Sequence, residues 1–377
     1  MSSGQRWRLA AGGLVAVALL FVFFRGVDWT GLLHALRGAN PTYLAGVVLA
    51  TVLTYLARAW RWGYLLSPLA RVPFPRLFSA TMVGFMSGQL VPRAGEIVRP
   101  YLVARRHGIA TSAAFATIIL ERLVDLITVL CLFVLYLYVL PVPEAQSRGP
   151  LLGFLKMAGI LTGAGALALV SLLLAFHLHA DRAMAVIDRL LLRLPRWLGG
   201  WLSQALRAFG EGLAVLQAPA PHLLAIQAQS FLIWLLIALG LYWNNAAFGL
   251  TLPFHSTFLL IAFLTVGVAI PTPGMVGGFH VFYLLAMNQA FGVDKDIAAA
   301  AGTAAHALSN LPVLVLGLLL LGREGLTFGR VAQMTEEKPG EGPPAGRDPV
   351  DDDEDAGARR VSTVLPGSER GDAARRV

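Results

Sequence analysis

Long, predominantly apolar runs limit most strictly what this chain can fold into. Runs of 16 or more such residues occur at positions 9–24, 151–176, 223–250 and 297–321. About 20 apolar residues span a bilayer as one helix. Only 14% of the residues are charged, against about 25% in an ordinary soluble domain. The sequence therefore predicts an all-α fold, that of a polytopic helical membrane protein.

Charges and prolines interrupt the apolar pattern between residues 88 and 100, where the sequence contains Pro92, Arg93, Glu96, Arg99 and Pro100. The apolar helix predicted at 113–140 then carries three charges near its middle: Glu121, Arg122 and Asp125. A charge at mid-bilayer costs about 2.5–3.5 kcal/mol and must face protein or water. Broken backbone at that depth likewise requires protein or an aqueous cavity around it. We interpret the stretch as the wall of a buried polar site.

The distribution of arginines predicts that the first break belongs to a re-entrant hairpin. A span at 43–57 ends in residues 58–62, whose cations and indoles suit the headgroup layer. Residues 58–76 and residues 93–106 each hold four arginines. A full crossing by residues 77–91 would place these basic clusters on opposite sides, against the positive-inside rule. A hairpin that enters and leaves on the cytoplasmic face avoids this conflict.

A second break lies at residues 271–278, between apolar legs at 258–270 and 279–291. If it forms a hairpin that enters from outside, every loop obeys the positive-inside rule with both termini cytoplasmic. The prediction is about six full spans plus two re-entrant broken-helix hairpins in a cell inner membrane. Each half, about 1–140 and 151–332, then contains two spans, a hairpin and a third span in that order. The second half is inverted in the membrane relative to the first. Transporters build substrate sites from such inverted repeats. The alternative is that the two halves look alike only because apolar segments resemble one another by chance.

The remaining sequence sets the domain limits and excludes several classes of protein. We predict a membrane domain at 1–332, with amphipathic surface helices at about 177–222, and a disordered cytoplasmic tail at 333–377. The tail holds 7 basic and 11 acidic residues, so the rest of the chain has a net charge of +12. Loop arginines explain that excess better than nucleic-acid binding does. A single cysteine, Cys131, excludes an internal disulfide framework. We predict no cofactor and no metal.

Six charged residues form the candidate substrate site: Arg93, Glu96, Arg99, Glu121, Arg122 and Asp125. In one interpretation they are a neutral ion network that only fixes the first hairpin, since buried ion pairs often serve structure. In the other, Arg93 and Arg99 bind phosphate through their guanidinium forks while the carboxylates hold them in place. The sequence leaves both interpretations open.

The second break contributes uncharged candidates: Pro273, Gly274, Gly277, Gly278 and His280. Its glycines let backbone donors approach a ligand, and a helix N-terminus there would favour an anion. Alternatively, the segment is a tight turn, and His280, like His306 and Asn310, makes an ordinary interhelical hydrogen bond.

These motifs resemble those of the flippase-like family, the transmembrane region found in lysylphosphatidylglycerol synthetases and in stand-alone homologues. The resemblance covers about residues 5–330 and is carried by residues 89–99, 121–125, 271–274 and 277–278. Two positions depart from the family pattern. Met275 replaces a second glycine and His280 an acidic residue, which leaves no carboxylate on the second hairpin. We expect the chain to lack the cytoplasmic aminoacyl-transferring domain, so the resemblance implies lipid translocation rather than lipid synthesis.

The predicted function is therefore translocation, or assistance in translocation, of a phosphate-bearing lipid between leaflets, with no enzymatic activity. The partners considered are a membrane phospholipid or polyprenyl-linked lipid, a second copy of the chain as a homodimer, and envelope-lipid enzymes; nucleic acid is excluded. Two alternatives remain. The protein is a non-transporting scaffold for envelope-lipid enzymes, or it is an integral transferase acting on a lipid-linked substrate with Glu121 or Asp125 as base.

Overall fold

The structure, a computed structural model, describes residues 28–140 and 213–323, with isolated helical positions between 14 and 21 and between 153 and 178. The described residues form α-helices and short 3-10 or π turns, without a β-strand. The all-α prediction is thus confirmed. The spans predicted at 9–24 and 151–176, the surface helices at 177–212 and the tail at 333–377 lie outside the described ranges.

Local signals set the helix boundaries. Asp28 accepts hydrogen bonds from the Thr30 and Gly31 amides at the start of α1, and Asn40 caps α2 with Pro41 in its first turn. Gly108, in the left-handed conformation, ends α4. The α-helices of the described ranges are α1 (Trp29–Gly38), α2 (Pro41–Leu66), α3 (Phe74–Leu90), α4 (Ala94–His107), α5 (Thr111–Tyr138), α6 (Ala220–Ala247), α7 (Ser256–Ala269), α8 (Gly278–Leu285) and α9 (Lys295–Arg323).

Three of these helices are long and apolar enough to cross a membrane: α2, α6 and residues Lys295–Gly322 of α9. Helix α5 has 28 residues and is therefore as long as α6, but it carries Glu121, Arg122 and Asp125. Two further predicted spans fall outside the described ranges. The total of six spans therefore remains a prediction.

Helices α2 and α6 run antiparallel. Gly46 lies against Trp243, Ala50 against Gly240, and Arg61 Nη1 donates to Ser230 Oγ over 2.8 Å. A Cβ atom on Gly46 would come within 2.8 Å of the Trp243 ring. The absence of a side chain at Gly46 thus allows the close approach that aligns the two helices.

Helix α5 joins two hydrophobic cores. The first core contains Trp62, Leu120 and Val124 and is formed by α2 to α5 with the start of α6. The second contains Val129 and Leu259 and is formed by the C-terminal half of α5 with α6 to α9. The helix passes from one core to the other between Val124 and Val129. The charges near its middle therefore lie where the two cores meet.

Two pairs of short helices are each joined by a break in the helical backbone. We call α3 and α4 the first hairpin, and α7 and α8 the second. Their helices have 17, 14, 14 and 8 residues, and a π turn at Ala286–Ala290 extends α8. A Cβ atom on Gly95 would overlap the carbonyl of Gly84, and one on Gly278 the carbonyl of Gly267. Each hairpin is thus closed by a glycine pair whose members lie 11 residues apart.

Two predicted boundaries are wrong. Helix α2 continues to Leu66 and buries Arg58 and Arg61, which we had expected in the headgroup layer. Burial of these cations is tolerated because acidic side chains of α5 pair with them. Residues 213–217, inside the predicted surface region, form a 3-10 turn that buries Val215 and Leu216 in the first core.

Candidate functional site

The site is built on the buried face of α5. Glu121 and Asp125 are four residues apart and therefore project from the same side of the helix. They are the eleventh and fifteenth of its 28 residues, which places them about 15–21 Å along the helix at a rise of 1.5 Å per residue. Both are nearly inaccessible to solvent, with 0% and 4% exposure.

Four arginines converge on these two carboxylates from three helices. On α2, Arg61 Nη1 lies 2.6 Å from Asp125 Oδ1, and Arg58 Nη1 lies 3.4 Å from Asp125 Oδ2. Arg99 of α4 and Arg122 of α5 reach Glu121 Oε1 at 2.9 and 3.0 Å. We call these residues the charged cluster: Arg58, Arg61, Arg99, Glu121, Arg122 and Asp125.

Polar groups of α5 and α6 fix the geometry of Asp125. Trp234 Nε1 donates to Asp125 Oδ1 over 3.0 Å, and Arg61 Nη1 donates to both Asp125 and Ser230. The hydroxyl of Thr128 in turn donates to Ser230 Oγ over 2.9 Å. These bonds tie α2, α5 and α6 together at the depth of the cluster.

The cluster contains more positive than negative charge. Its four arginines face two carboxylates, which leaves a formal net charge of +2. Five buried guanidinium nitrogens have no hydrogen-bond acceptor in the described structure: Nε and Nη2 of Arg61, Nε and Nη2 of Arg99, and Nε of Arg122. Glu121 Oε2 likewise receives no hydrogen bond. Desolvated cations without full compensation are costly, so this arrangement favours an anion.

Aromatic rings border the cluster. The guanidinium carbons of Arg58, Arg99 and Arg122 lie 5.4, 5.7 and 5.9 Å from the centre of the Phe85 ring. Arg99 also stacks over Trp62 at 4.1 Å. The side chain of Arg122 is 41% exposed, whereas those of the other three arginines are buried. The cluster therefore has one accessible cation, beside Phe85.

An apolar cavity of about 210 Å³ begins at the cluster. It lies between α2, α6, α7 and α9, and Arg58 is the charged residue in its wall. Tyr55 and Trp234 line it near Arg58, and most of the remaining wall is apolar, including Leu241 and Ile261. A buried cation thus adjoins space suited to hydrocarbon.

Four of the six charged candidates predicted from the sequence come together here: Arg99, Glu121, Arg122 and Asp125. The other two do not. Arg93 and Glu96 are exposed, and within the described ranges neither side chain makes an ion pair with the cluster. Arg93 occupies the tip of the first hairpin in a left-handed conformation, φ 64°. Its position beside the break suggested a role in the site. In the structure, the left-handed backbone of Arg93 instead turns the chain into α4.

Sequence analysis missed Arg58 and Arg61, which supply half of the positive charge. Their spacing of three residues at the end of a predicted span was a usable signal, because it places both on one face if the helix continues. The positive-inside rule assigned them to a loop instead.

The uncharged candidates lie where the two hairpins meet. Gly274 approaches the backbone of Gln89, and His306 Nε2 donates to the Gly274 carbonyl over 2.8 Å. Gln89 Nε2 donates to Asn310 Oδ1 over 2.9 Å. The tips of both hairpins are thus hydrogen-bonded to α9.

His280 and the neighbouring glycines support this junction. The ring of His280 lies 4.6 Å from that of His306, and its Nδ1 receives a long, 3.4 Å hydrogen bond from the Gly277 amide. Pro273 opens the 3-10 turn at the tip, and Gly274 and Gly277 have positive φ. Met275 also has a positive φ, 58°, a conformation that favours glycine. The described geometry of these residues is that of a turn held in place; the proposed contact with substrate stays a prediction.

Comparison with known proteins agrees with the resemblance noted from the motifs. A UPF0104 membrane protein of Methanothermobacter thermautotrophicus is 25% identical over 324 residues, 81% of this chain and 91% of the relative. Glycosyltransferase AglD of Haloferax volcanii is 28% identical over 127 residues, 33% of this chain and 20% of that protein. The model of the lysylphosphatidylglycerol synthase TM region matches residues 9–317. This membrane protein therefore belongs to the lysylphosphatidylglycerol synthase transmembrane-region family.

Proposed function

We propose that the protein binds a phosphate-bearing lipid at the charged cluster and moves its headgroup between leaflets. The observation that carries this proposal is the buried excess of arginine over carboxylate halfway along α5. Guanidinium groups bind phosphate oxygens through paired, charge-assisted hydrogen bonds. A site at that depth serves a headgroup in passage better than one resting at the membrane surface.

The cavity beside Arg58 supports the lipid part of the proposal. A lipid reaches the cluster sideways from the bilayer, so only its headgroup requires polar partners. The apolar wall between α2, α6 and α7 accepts hydrocarbon while Arg58 contacts the phosphate. A soluble anion would gain nothing from this wall.

In the proposed membrane arrangement, the two hairpins are re-entrant and opposed, and the chain lies in the inner membrane with cytoplasmic termini. Their helices, of 8 to 17 residues, are shorter than the roughly 20 residues that span a bilayer. The order of long helix, pair of short helices and long helix occurs in α2 to α5 and again in α6 to α9, which supports this arrangement. Hairpin tips that meet near the midplane are typical of transporters with inverted repeats.

The test is leaflet redistribution in liposomes that contain the purified protein and a labelled anionic phospholipid. We expect redistribution well above that in protein-free liposomes. Arg58→Gln should slow it about tenfold or more, because one charge-assisted hydrogen bond contributes about 1.5–3 kcal/mol. Asp125 keeps Arg61 as its partner in this variant. Arg105→Gln, an exposed arginine at the end of α4, is the matched control and should behave as wild type.

Other outcomes separate the alternatives. Redistribution no faster than in empty liposomes would refute translocation. A chemically altered lipid in the presence of a donor would instead indicate a transferase, the activity that the name of the Haloferax relative denotes. If neither redistribution nor a new product is observed, the scaffold hypothesis is the one that remains.

A further inference from the structure

The charge imbalance of the cluster bears on which lipid it binds. The described ranges contain four acidic residues besides Glu121 and Asp125, namely Asp28, Glu96, Asp294 and Asp296. None of them forms an ion pair with the four arginines in the described structure. The net charge of +2 is therefore not compensated by the described part of the protein.

Neither deprotonation nor solvent removes this imbalance readily. Arginine stays protonated in proteins. Arg61 and Arg99 are 0% and 2% exposed, and two nitrogens of each have no acceptor in the described ranges. A bound anion of charge −2 would neutralise the whole cluster and supply acceptors for these nitrogens, whereas an anion of charge −1 would leave the cluster with a net charge of +1, shared with the accessible Arg122.

We propose that the charged cluster selects a lipid whose headgroup carries two negative charges, a phosphomonoester or a diphosphate, over a monoanionic phosphodiester or a zwitterion. This proposal rests on the proposed function and specifies its substrate class. A terminal phosphate also presents three oxygens, which suits the convergence of Arg58, Arg99 and Arg122 around Phe85 from separate directions.

The cavity indicates that charge rather than chain length sets the preference. An apolar cavity of about 150 Å³ holds one benzene molecule. The cavity beside Arg58, at about 210 Å³, therefore holds only the part of a hydrocarbon chain next to the headgroup. The rest of the lipid remains in the bilayer, where chain type makes little difference to the site.

The test compares the binding of phosphatidic acid with that of phosphatidylglycerol carrying identical acyl chains. Binding is measured as lipid-dependent thermal stabilisation of the full-length protein in detergent. We expect phosphatidic acid to bind about tenfold or more tightly, a difference of about 1.4 kcal/mol in binding free energy. The preference should shrink from about pH 8 to about pH 5, because a phosphomonoester takes up its second proton near pH 6 while a phosphodiester does not change. Equal affinities at both pH values would overturn the proposal.

Variants and a soluble competitor sharpen the assignment. Arg122→Gln lowers the cluster to +1 and should weaken the binding of phosphatidic acid more than that of phosphatidylglycerol, so that the preference is lost; Arg105→Gln should retain both the affinities and the preference. Stabilisation by inorganic phosphate as strong as that by phosphatidic acid would overturn the lipid assignment and identify a free-anion site.

Leaflet redistribution of the same two lipids separates this proposal from the proposed function. If both lipids move at the same rate and bind equally, translocation stands and the selection of a dianion fails. If phosphatidic acid binds preferentially but neither lipid moves, the dianion site stands and translocation fails.

Discussion

The two hairpins share a backbone design but differ in their chemistry. Gly84 and Gly95 close the first hairpin, and Gly267 and Gly278 close the second, through the same contact between backbones. Arg99 of the first hairpin enters the charged cluster. The second hairpin is joined to α9 by neutral hydrogen bonds, chiefly that from His306 to the Gly274 carbonyl.

This difference separates the requirements of the fold from those of the site. Glycine pairs allow either hairpin to form, whatever the surrounding side chains. Of the two hairpins, only the first carries charged side chains, and there α5 supplies the carboxylates that pair with Arg99 and with the arginines of α2. Similar architecture in the two halves thus does not require similar chemistry, and the charged cluster belongs to one half.

The largest effect is expected from Asp125→Asn. It removes the negative charge 2.6 Å from the buried Arg61 and leaves that cation only the more distant Glu121, at 3.6 Å, so the free energy of unfolding should fall by about 3–5 kcal/mol. Adding Arg61→Gln removes the poorly compensated charge and should recover much of that loss, as measured by thermal unfolding in detergent. An Asp125→Asn protein as stable as wild type would show that the charged cluster beside the first hairpin adds nothing to the stability of the fold.

The glycine pairs should respond alike in both hairpins. Gly95→Ala and Gly278→Ala each place a methyl group against a backbone carbonyl, at a cost of about 1–3 kcal/mol from overpacking. Gly88→Ala is the control, because its nearest new contact, to the Gly95 nitrogen, is an ordinary 3.6 Å. Thermal stability losses confined to one hairpin would show that the shared design is only superficial.

A smaller effect is expected at the neutral junction. His306→Phe removes the 2.8 Å hydrogen bond to the half-buried Gly274 and should cost about 0.5–1.5 kcal/mol, the net contribution of one hydrogen bond. Lipid preference should not change, because no charge is altered. A changed ratio of phosphatidic acid to phosphatidylglycerol binding would instead place His306 in the headgroup site.

Arg93→Gln should have the smallest effect, within about 0.5 kcal/mol in stability, as for surface substitutions in general. Arg93 is exposed and lies outside the charged cluster. Leaflet redistribution and thermal unfolding measured together are the check. A marked loss of redistribution at full stability would restore Arg93 as the phosphate ligand expected from the sequence.

The hairpins and much of the site were predictable because their signals are local. Proline and glycine mark each break, and Glu121 and Asp125 stand out inside an apolar helix. The contribution of α2 was not predictable in this way, since Arg61 and Arg58 lie 64 and 67 residues from Asp125 in sequence. Sequence proximity also misled: Arg93 and Glu96 adjoin the break, yet the turn into α4 leaves them exposed.

A structure of the wild-type protein with phosphatidic acid bound addresses the proposed lipid site itself. We expect the phosphate within about 3 Å of guanidinium nitrogens from at least two of Arg58, Arg61, Arg99 and Arg122, the usual length of a charge-assisted hydrogen bond. The adjoining chain should occupy the cavity beside Arg58. A phosphate bound at exposed arginines such as Arg93, with the arginine–carboxylate distances of the cluster unchanged, would show that the cluster only stabilises the fold.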